Sequence, residues 1–310
     1  MERLDFSLPA FTRLAWVSDR ARNVWQPRFA RVEDAIANIA WLSVVEGVRR
    51  CAIVDICPNE HIISGMRWLK HGLSYLPIEQ HCVPWLAFRG FASEPKESPY
   101  IMRLAIARTA DLPAFVEALE REDQQVIVEA MGWPACCQRM PLLERGEIEF
   151  QDSTWTTVRM ALNGGNSNIV DISGPPQTNQ LLRYVGISIL PHVACKPECA
   201  ASVTLADQLI EVGRSSGYDE EMDWLLEILS WPIEWSALHG IAEIKMPLFR
   251  ISSSTDATAV KYVARRTGST YPEEGARALR FPFTVPQKLK YTDSAAYRRG
   301  LSHPLPVLSS

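Results

Sequence analysis

The sequence predicts an α/β or α+β fold, with a mixed N-terminal unit and a C-terminal unit of cysteine-bearing helices and a small antiparallel sheet. Three observations carry this expectation. Short apolar runs alternate with helical periodicity over the first 130 residues. Two cysteine pairs beyond residue 130 each contain Pro-x-Cys, as in Pro134-Ala135-Cys136 and Pro197-Glu198-Cys199, and each precedes a helical pattern. Beyond residue 240 the pattern changes to alternation of period two.

The first thirty residues are mixed, with Trp16, Trp25 and Pro27 scattered among charges. Residues 32–49 read as a helix, because Ile36, Ile39, Ala40, Val44, Val45 and Val48 recur on one face. Residues 51–56 form an apolar run that ends before Pro58, which predicts a buried strand. A helix over 62–73 and a strand over 100–106 come next. Asp111 as cap and Pro113 in the first turn open a helix to residue 122. Residues 124–131 are helical or extended and lead to the first cysteine pair.

Pro134 fits the first turn of a helix holding Cys136 and Cys137, which Pro141 would break or restart. Residues 153–162 read as helical. The Gly-, Asn-, Ser- and Pro-rich stretch 163–178 reads as a long functional loop or a junction. A helical turn at 180–184 and a β-prone run at 186–190 deliver Pro191 and His192. Pro197 opens a helix to about residue 213, and residues 219–229 form another. Residues 241–252 and 260–266 read as an antiparallel pair joined by a polar connection at 252–258. The boundaries expected are 1–130 for the mixed unit, 131–290 for the cysteine-site unit and 291–310 for a loose tail.

The chain has 310 residues, enough for one large core or two modest ones, with 47% hydrophobic and 22% charged residues. A net charge of −4 argues against a general nucleic-acid binder, which carries a basic stripe. No run reaches the roughly 18 apolar residues of a spanning helix. The start, Met1-Glu2-Arg3-Leu4-Asp5, lacks the charge-then-apolar pattern of a secretory signal. A cytoplasmic protein without membrane association is therefore expected. There thiols stay reduced, and seven cysteines, an odd count, suit metal or redox chemistry better than a disulfide framework.

Cys136, Cys137, Cys195 and Cys199 are the candidate ligands. Thiolate is both the nucleophile and the metal ligand, and helix N-termini favour it. With Pro197 as first helical residue, Cys199 lies in the first turn and Cys195 just outside it, so both can face one point. His192 reaches the same point from the end of an apolar run. Adjacent Cys136 and Cys137 diverge by about 100° on a helix, but at a helix start they can flank one ligand from two angles.

Four thiolates with an optional imidazole satisfy a zinc or iron ion, or an iron–sulfur cluster. The absence of a C-x2-C knuckle tilts the choice towards the cluster. The plainer reading stands beside this one: free cysteine is often a small core hydrophobe, and Cys51, Cys57 and Cys82 are read that way.

Weaker candidates exist. Asp55, with Cys57, Glu60 and His61, ends a strand where α/β folds place ligands, or is simply a turn. Gly164 and Gly165 match no phosphate-binding motif, while Asp171 and Ser173 beside them are polar. Glu234, His239, Glu243 and Lys245 read as a solvated sheet face or a pocket lining. The segment 252–258, followed by Lys261, Arg265 and Arg266, reads as an Asp256-capped turn or an anion site.

The Gly-aromatic-Pro-x-Cys-Cys of residues 132–137, paired with the His-x-x-Cys-x3-Cys of residues 192–199, resembles an uncharacterised prokaryotic family. The likeness extends through Trp231-Pro232-Ile233-Glu234-Trp235-Ser236 and covers about the second half of the chain. Position 194 departs from that pattern, with Ala in place of Pro. The resemblance implies that the thiols act together and implies no reaction.

The leading expectation is a metal- or iron–sulfur-binding protein, leaning towards an enzyme: an oxidoreductase or a metal-dependent one. Its substrate is a small molecule or peptide of unknown identity. Catalytic roles fall to His192, Cys195 and Glu198; Cys136, Cys137, Cys195, Cys199 and His192 are the metal ligands; Lys196 tunes the charge. The alternatives are a metal-free thiol redox or sulfur-transfer enzyme, and a binding or scaffold protein with structural cysteines.

Overall fold

The computed structural model describes residues 12–56, 60–82, 100–138, 154–155, 158, 167–255 and 260–266. In chain order the elements are β1 (Thr12–Trp16), α1 (Asp19–Val45), β2 (Cys51–Ile56), α2 (His61–Lys70), β3 (Leu73–Cys82), β4 (Tyr100–Arg108), α3 (Leu112–Glu120), α4 (Gln124–Ala130), β5 (Ile169–Ile172), α5 (Ala200–Ser215), α6 (Asp219–Ser230), β6 (Ile233–Leu238), β7 (Ile241–Lys245), β8 (Phe249–Ser254) and β9 (Tyr262–Arg266). Helices and sheets segregate, so the class is α+β. No described helix is long and apolar enough to cross a membrane.

Helix α1 organises the molecule. The Ser18 hydroxyl caps it by accepting the Ala21 N–H at 3.1 Å. Its buried residues Ala21, Trp25, Phe29, Val32, Ala35 and Ile39 recur every three or four positions, which makes one continuous apolar stripe. The stripe carries the helix through Pro27, where an interior proline costs about 3 kcal/mol. Edge-on aromatic packing offsets that cost: Trp25 meets Trp231 at 4.6 Å and Phe29 meets Phe249 at 5.2 Å.

Two sheets flank α1. The larger runs β1-β8-β7-β6-β9-β5, antiparallel except for the parallel pair β5–β9. Its inward residues, including Trp235, Ile244 and Ile251, share the principal core with α1, α5 and α6. The smaller sheet, β2-β4-β3, is antiparallel throughout. One face (Ala52, Val54, Leu104, Ile106) packs on α1 and α2, and the other (Cys51, Ala105, Ala107) packs on α3 and α4.

Several local expectations change. Helix α1 begins 13 residues before position 32, because Trp25 and Phe29 extend the buried stripe. Strand β1 pairs with β8, a contact between the two ends of the described chain. Residues 241–252 hold two strands with a turn between them, and β9 pairs with β6 and β5 instead of with them. The 186–190 run joins no strand; Ile187, Ile189 and Leu190 are buried as irregular chain. Strand β5 lies inside the stretch read as a loop. The 291–310 tail, Pro141, most of the 153–162 helix and Gly164–Asn166 lie outside the described residues.

Candidate metal centre

Helix α4 ends on a glycine device. Gly132 has φ +74°, and the Trp133 N–H returns to the Val128 carbonyl at 2.9 Å. A side chain there would press on the Arg49 Cβ at 3.0 Å, so glycine serves both the turn and the close approach. The chain then makes one helical turn from Pro134, closed by the Cys137 N–H to the Pro134 carbonyl at 2.7 Å. That turn holds both Cys136 and Cys137.

The second arm differs from expectation by three residues. Helix α5 starts at Ala200, not Pro197, and Cys199 is its N-cap residue. Pro197 and Glu198 form the turn before it. The segment is held in place by the Gln180 amide on the His192 carbonyl, the Thr178 hydroxyl on the Pro197 carbonyl, and Gly174 packed against Pro197. Arg266 in turn fixes the Gly174 carbonyl. Because α5 begins at Cys199, the positive end of the helix dipole falls on that sulfur.

The two arms meet. The four sulfurs of Cys136, Cys137, Cys195 and Cys199 lie within 4.8 Å of one another, although the pairs are 58 to 63 residues apart in sequence. Cys136–Cys199 is 3.6 Å, Cys137–Cys199 3.7 Å and Cys136–Cys137 3.8 Å. All four are free thiols. Cys137 and Cys199 are buried, Cys195 is half-buried and Cys136 is exposed, so the cluster has one solvent-facing corner. The arrangement can hold a metal ion.

Polar groups around the sulfurs favour negative charge. The Cys195 N–H donates to Cys137 Sγ at 3.4 Å, and the Ser202 hydroxyl lies 3.3 Å from the same sulfur. Burial opposes ionisation of Cys199, but hydrogen bonding from the Ser202 hydroxyl and amide and from Cys136 and Cys195 outweighs it, bringing its pKa down to about 7. Burial pushes Cys137 up to about 11, and burial with the neighbouring Cys137 charge pushes Cys195 up as well.

His192 stands one hydroxyl behind the sulfurs: its Nε2 is 3.0 Å from Ser202 Oγ. It is 4% exposed, its ring lies 5.3 Å from that of Trp133, and its buried Nδ1 has no hydrogen-bond partner among the described residues. Burial lowers its pKa to about 4, so the ring is neutral. Glu198 is exposed and accepts from the Ser173 hydroxyl at 2.9 Å, on the outer side of the turn. Lys196 is exposed.

Ser202, three residues after Cys199, is absent from the sequence candidates; the Cys-x-x-Ser spacing at a helix start is the signal that points to it. Elsewhere, Glu234 joins Arg265 at 3.0 Å and Lys245 at 3.3 Å in a cross-strand network on the large sheet. His61 packs edge-on against Tyr75. Asp55 pairs with Arg103. Cys57 and Asp256–Thr258 lie outside the described residues. No family model matches the chain, and neither a curated protein nor a solved structure matches it.

Proposed function

We propose that this protein binds one tetrahedral divalent ion, zinc by preference, through Cys136, Cys137, Cys195 and Cys199, and that the ion clamps the 134–138 turn to the start of α5. The observation that carries this is the sulfur spacing. A tetrahedral ion with metal–sulfur bonds of about 2.3 Å sets its ligand sulfurs about 3.8 Å apart. Three of the sulfur pairs lie at 3.6, 3.7 and 3.8 Å. Thiolates that cap different irons of a cluster stand farther apart, so the spacing favours a single ion over iron–sulfur.

Four protein thiolates fill a tetrahedral shell and leave no position for water or substrate, which is the pattern of a structural site. Iron in the same sulfur set would instead give a one-electron centre. The amide and hydroxyl around Cys137, and the α5 terminus at Cys199, disperse the negative charge that four thiolates bring to one divalent ion. We extend the reading to the prokaryotic family that the cysteine motifs resemble, whose members would share the clamp.

Elemental analysis of protein purified without oxygen, then cobalt substitution, tests this. The expected result is one zinc per chain and, with cobalt, the intense visible bands of tetrahedral thiolate coordination. Iron with acid-labile sulfide overturns it in favour of a cluster. A second reading rests on Cys199, the most acidic of the thiols whose ionisation is shifted, 3.6 Å from exposed Cys136. In it, the Cys199 thiolate attacks a substrate disulfide and releases one substrate thiol, then Cys136 displaces the second, so the substrate is reduced to two thiols and Cys136–Cys199 becomes the disulfide. Metal-free protein with fast-alkylating Cys199 would select that reading.

A further inference from the structure

A second site lies away from the sulfurs. A cavity of about 360 Å³ opens between α1, the β2–β4 face of the small sheet, the 188–191 segment and α5. That volume is within the range of small-molecule sites. Its walls are mostly aliphatic, with Ile36, Ile39, Ile53 and Leu209 among them. Three charged residues line it: Arg49, Asp55 and Arg103.

Asp55 and Arg103 face each other across β2 and β4 and form a two-pronged ion pair, with oxygen–nitrogen distances of 2.9 and 3.2 Å. Their side chains are 35% and 36% exposed, so this pair sits at the mouth. Arg49 is different. It is 7% exposed. Its Nε donates to the Ser43 hydroxyl at 2.6 Å and one terminal nitrogen donates to the Ala40 carbonyl at 2.5 Å. Both acceptors are neutral, and no carboxylate among the described residues pairs with it. Two of five N–H donors are thus used, which leaves three.

A plain structural role accounts for part of this, because the guanidinium completes the C-terminal end of α1, where a cation is favoured. It does not account for the rest. A buried guanidinium without a counter-anion carries a desolvation cost that two neutral oxygens only partly offset. The three charged residues sum to +1 − 1 + 1 = +1, so the lining lacks one negative charge. Arg49 lines the open cavity, and apart from Asp55, Arg103 and Ser188 the other residues of its wall are apolar.

We propose that the cavity binds small monocarboxylates with an apolar body, the carboxylate on Arg49 and the hydrocarbon along the aliphatic walls. Asp55, held by Arg103, works against a second negative charge at the mouth and so restricts the ligand to a monoanion. Nothing in this assignment depends on which ion the cysteines hold.

Isothermal calorimetry on the full, metal-loaded chain tests it, with octanoate as probe and octanamide as its neutral isostere. Octanoate is expected to bind on the order of tenfold or more tighter than octanamide, a difference of about 1.4 kcal/mol or more. Arg49→Met, checked for folding by circular dichroism, is expected to abolish that preference. Because Arg49 is buried, Asp55→Asn at the exposed mouth provides a second test: raising the lining charge to +2 is expected to tighten octanoate several-fold and leave octanamide unchanged. Octanoate that gives no binding heat at millimolar concentration, or that binds no better than octanamide, overturns the proposal. So does a folded Arg49→Met that keeps the preference, or an Asp55→Asn that leaves octanoate affinity unchanged.

Discussion

His192 and Ser202 are hydrogen-bonded at 3.0 Å, and the same serine hydroxyl reaches Cys137 Sγ at 3.3 Å. One hydroxyl therefore links a buried neutral imidazole to the sulfur cluster. A group one shell behind the ligands orients them, and losing it typically costs 10–100-fold in metal affinity. His192→Ala is expected to weaken zinc by about that factor while one ion per chain and the tetrathiolate cobalt spectrum persist. A change in the cobalt bands on this substitution would instead make the imidazole a ligand.

In the proposed clamp, metal and fold are coupled, because the ion would join the 134–138 turn to the α5 terminus. A chelator is expected to lower the thermal midpoint of the wild type. Cys199→Ser is expected to lose the ion, to melt at the lower midpoint from the start, and to show no response to chelator. Cys199→Ser protein with full metal content would contradict the ligand assignment.

Affinity depends on pH through the thiols. Cys199 ionises at about 7, whereas Cys137 is held up to about 11 and Cys195 is also raised. At pH 8 the metal-free site therefore holds protons on Cys137 and Cys195 that an incoming ion must displace. At least these two protons are displaced, so affinity rises by roughly 100-fold or more per pH unit, and below about pH 7 the proton on Cys199 steepens the dependence. Competition titrations with a chromophoric chelator at pH 7, 8 and 9 read this slope.

Metal-free protein carries a separate pH dependence from His192. Its folded pKa of about 4 lies below the ordinary 6.5, so the unfolded chain takes up the proton first. Stability is thus full above about pH 6.5 and is lost as pH falls towards about 4. Between pH 7 and pH 5 the loss from this group is about 2 kcal/mol. Urea denaturation of wild type and His192→Asn at both pH values isolates it: the variant is expected to lose less.

Gly174 carries the turn that supports the second cysteine arm. Its φ is +154°, and a side chain there would meet the Pro197 carbonyl oxygen at 2.7 Å. Gly174→Ala is expected to cost about 1–3 kcal/mol of stability and to weaken zinc binding, because the contact it breaks lies two residues from Cys199. Denaturation and zinc titration on the same variant check both effects.

Much of this protein was legible locally. The helices over 112–120 and 219–230 and the strands beginning at Cys51 and Tyr100 arise from periodicity and from cap and proline signals within a few residues. The cysteine pairs stand out for the same reason, since each is a short pattern. Periodicity failed where a distant contact decides. The first thirty residues read only as mixed, and the helical stripe through Pro27 shows once Trp25 packs on Trp231 and Phe29 on Phe249. Residues 186–190 carry strand-like side chains, yet they join no strand: the Gly186 and Ile187 N–H groups close onto the preceding turn, and Ile187, Ile189 and Leu190 are buried.

The sequence by itself determined which residues can be ligands: thiols grouped in twos, one group ending at a helix start, with a histidine three positions ahead. Tertiary structure decided that the groups meet, that the four sulfurs lie within 4.8 Å of one another, and that His192 is hydrogen-bonded to Ser202. It also decided that Arg49 is buried at the wall of a cavity, with no carboxylate paired to it among the described residues. The physical reason is the range of the forces involved. Helical spacing and capping act over three or four residues, whereas strand register and the meeting of segments about sixty residues apart depend on burying one shared core.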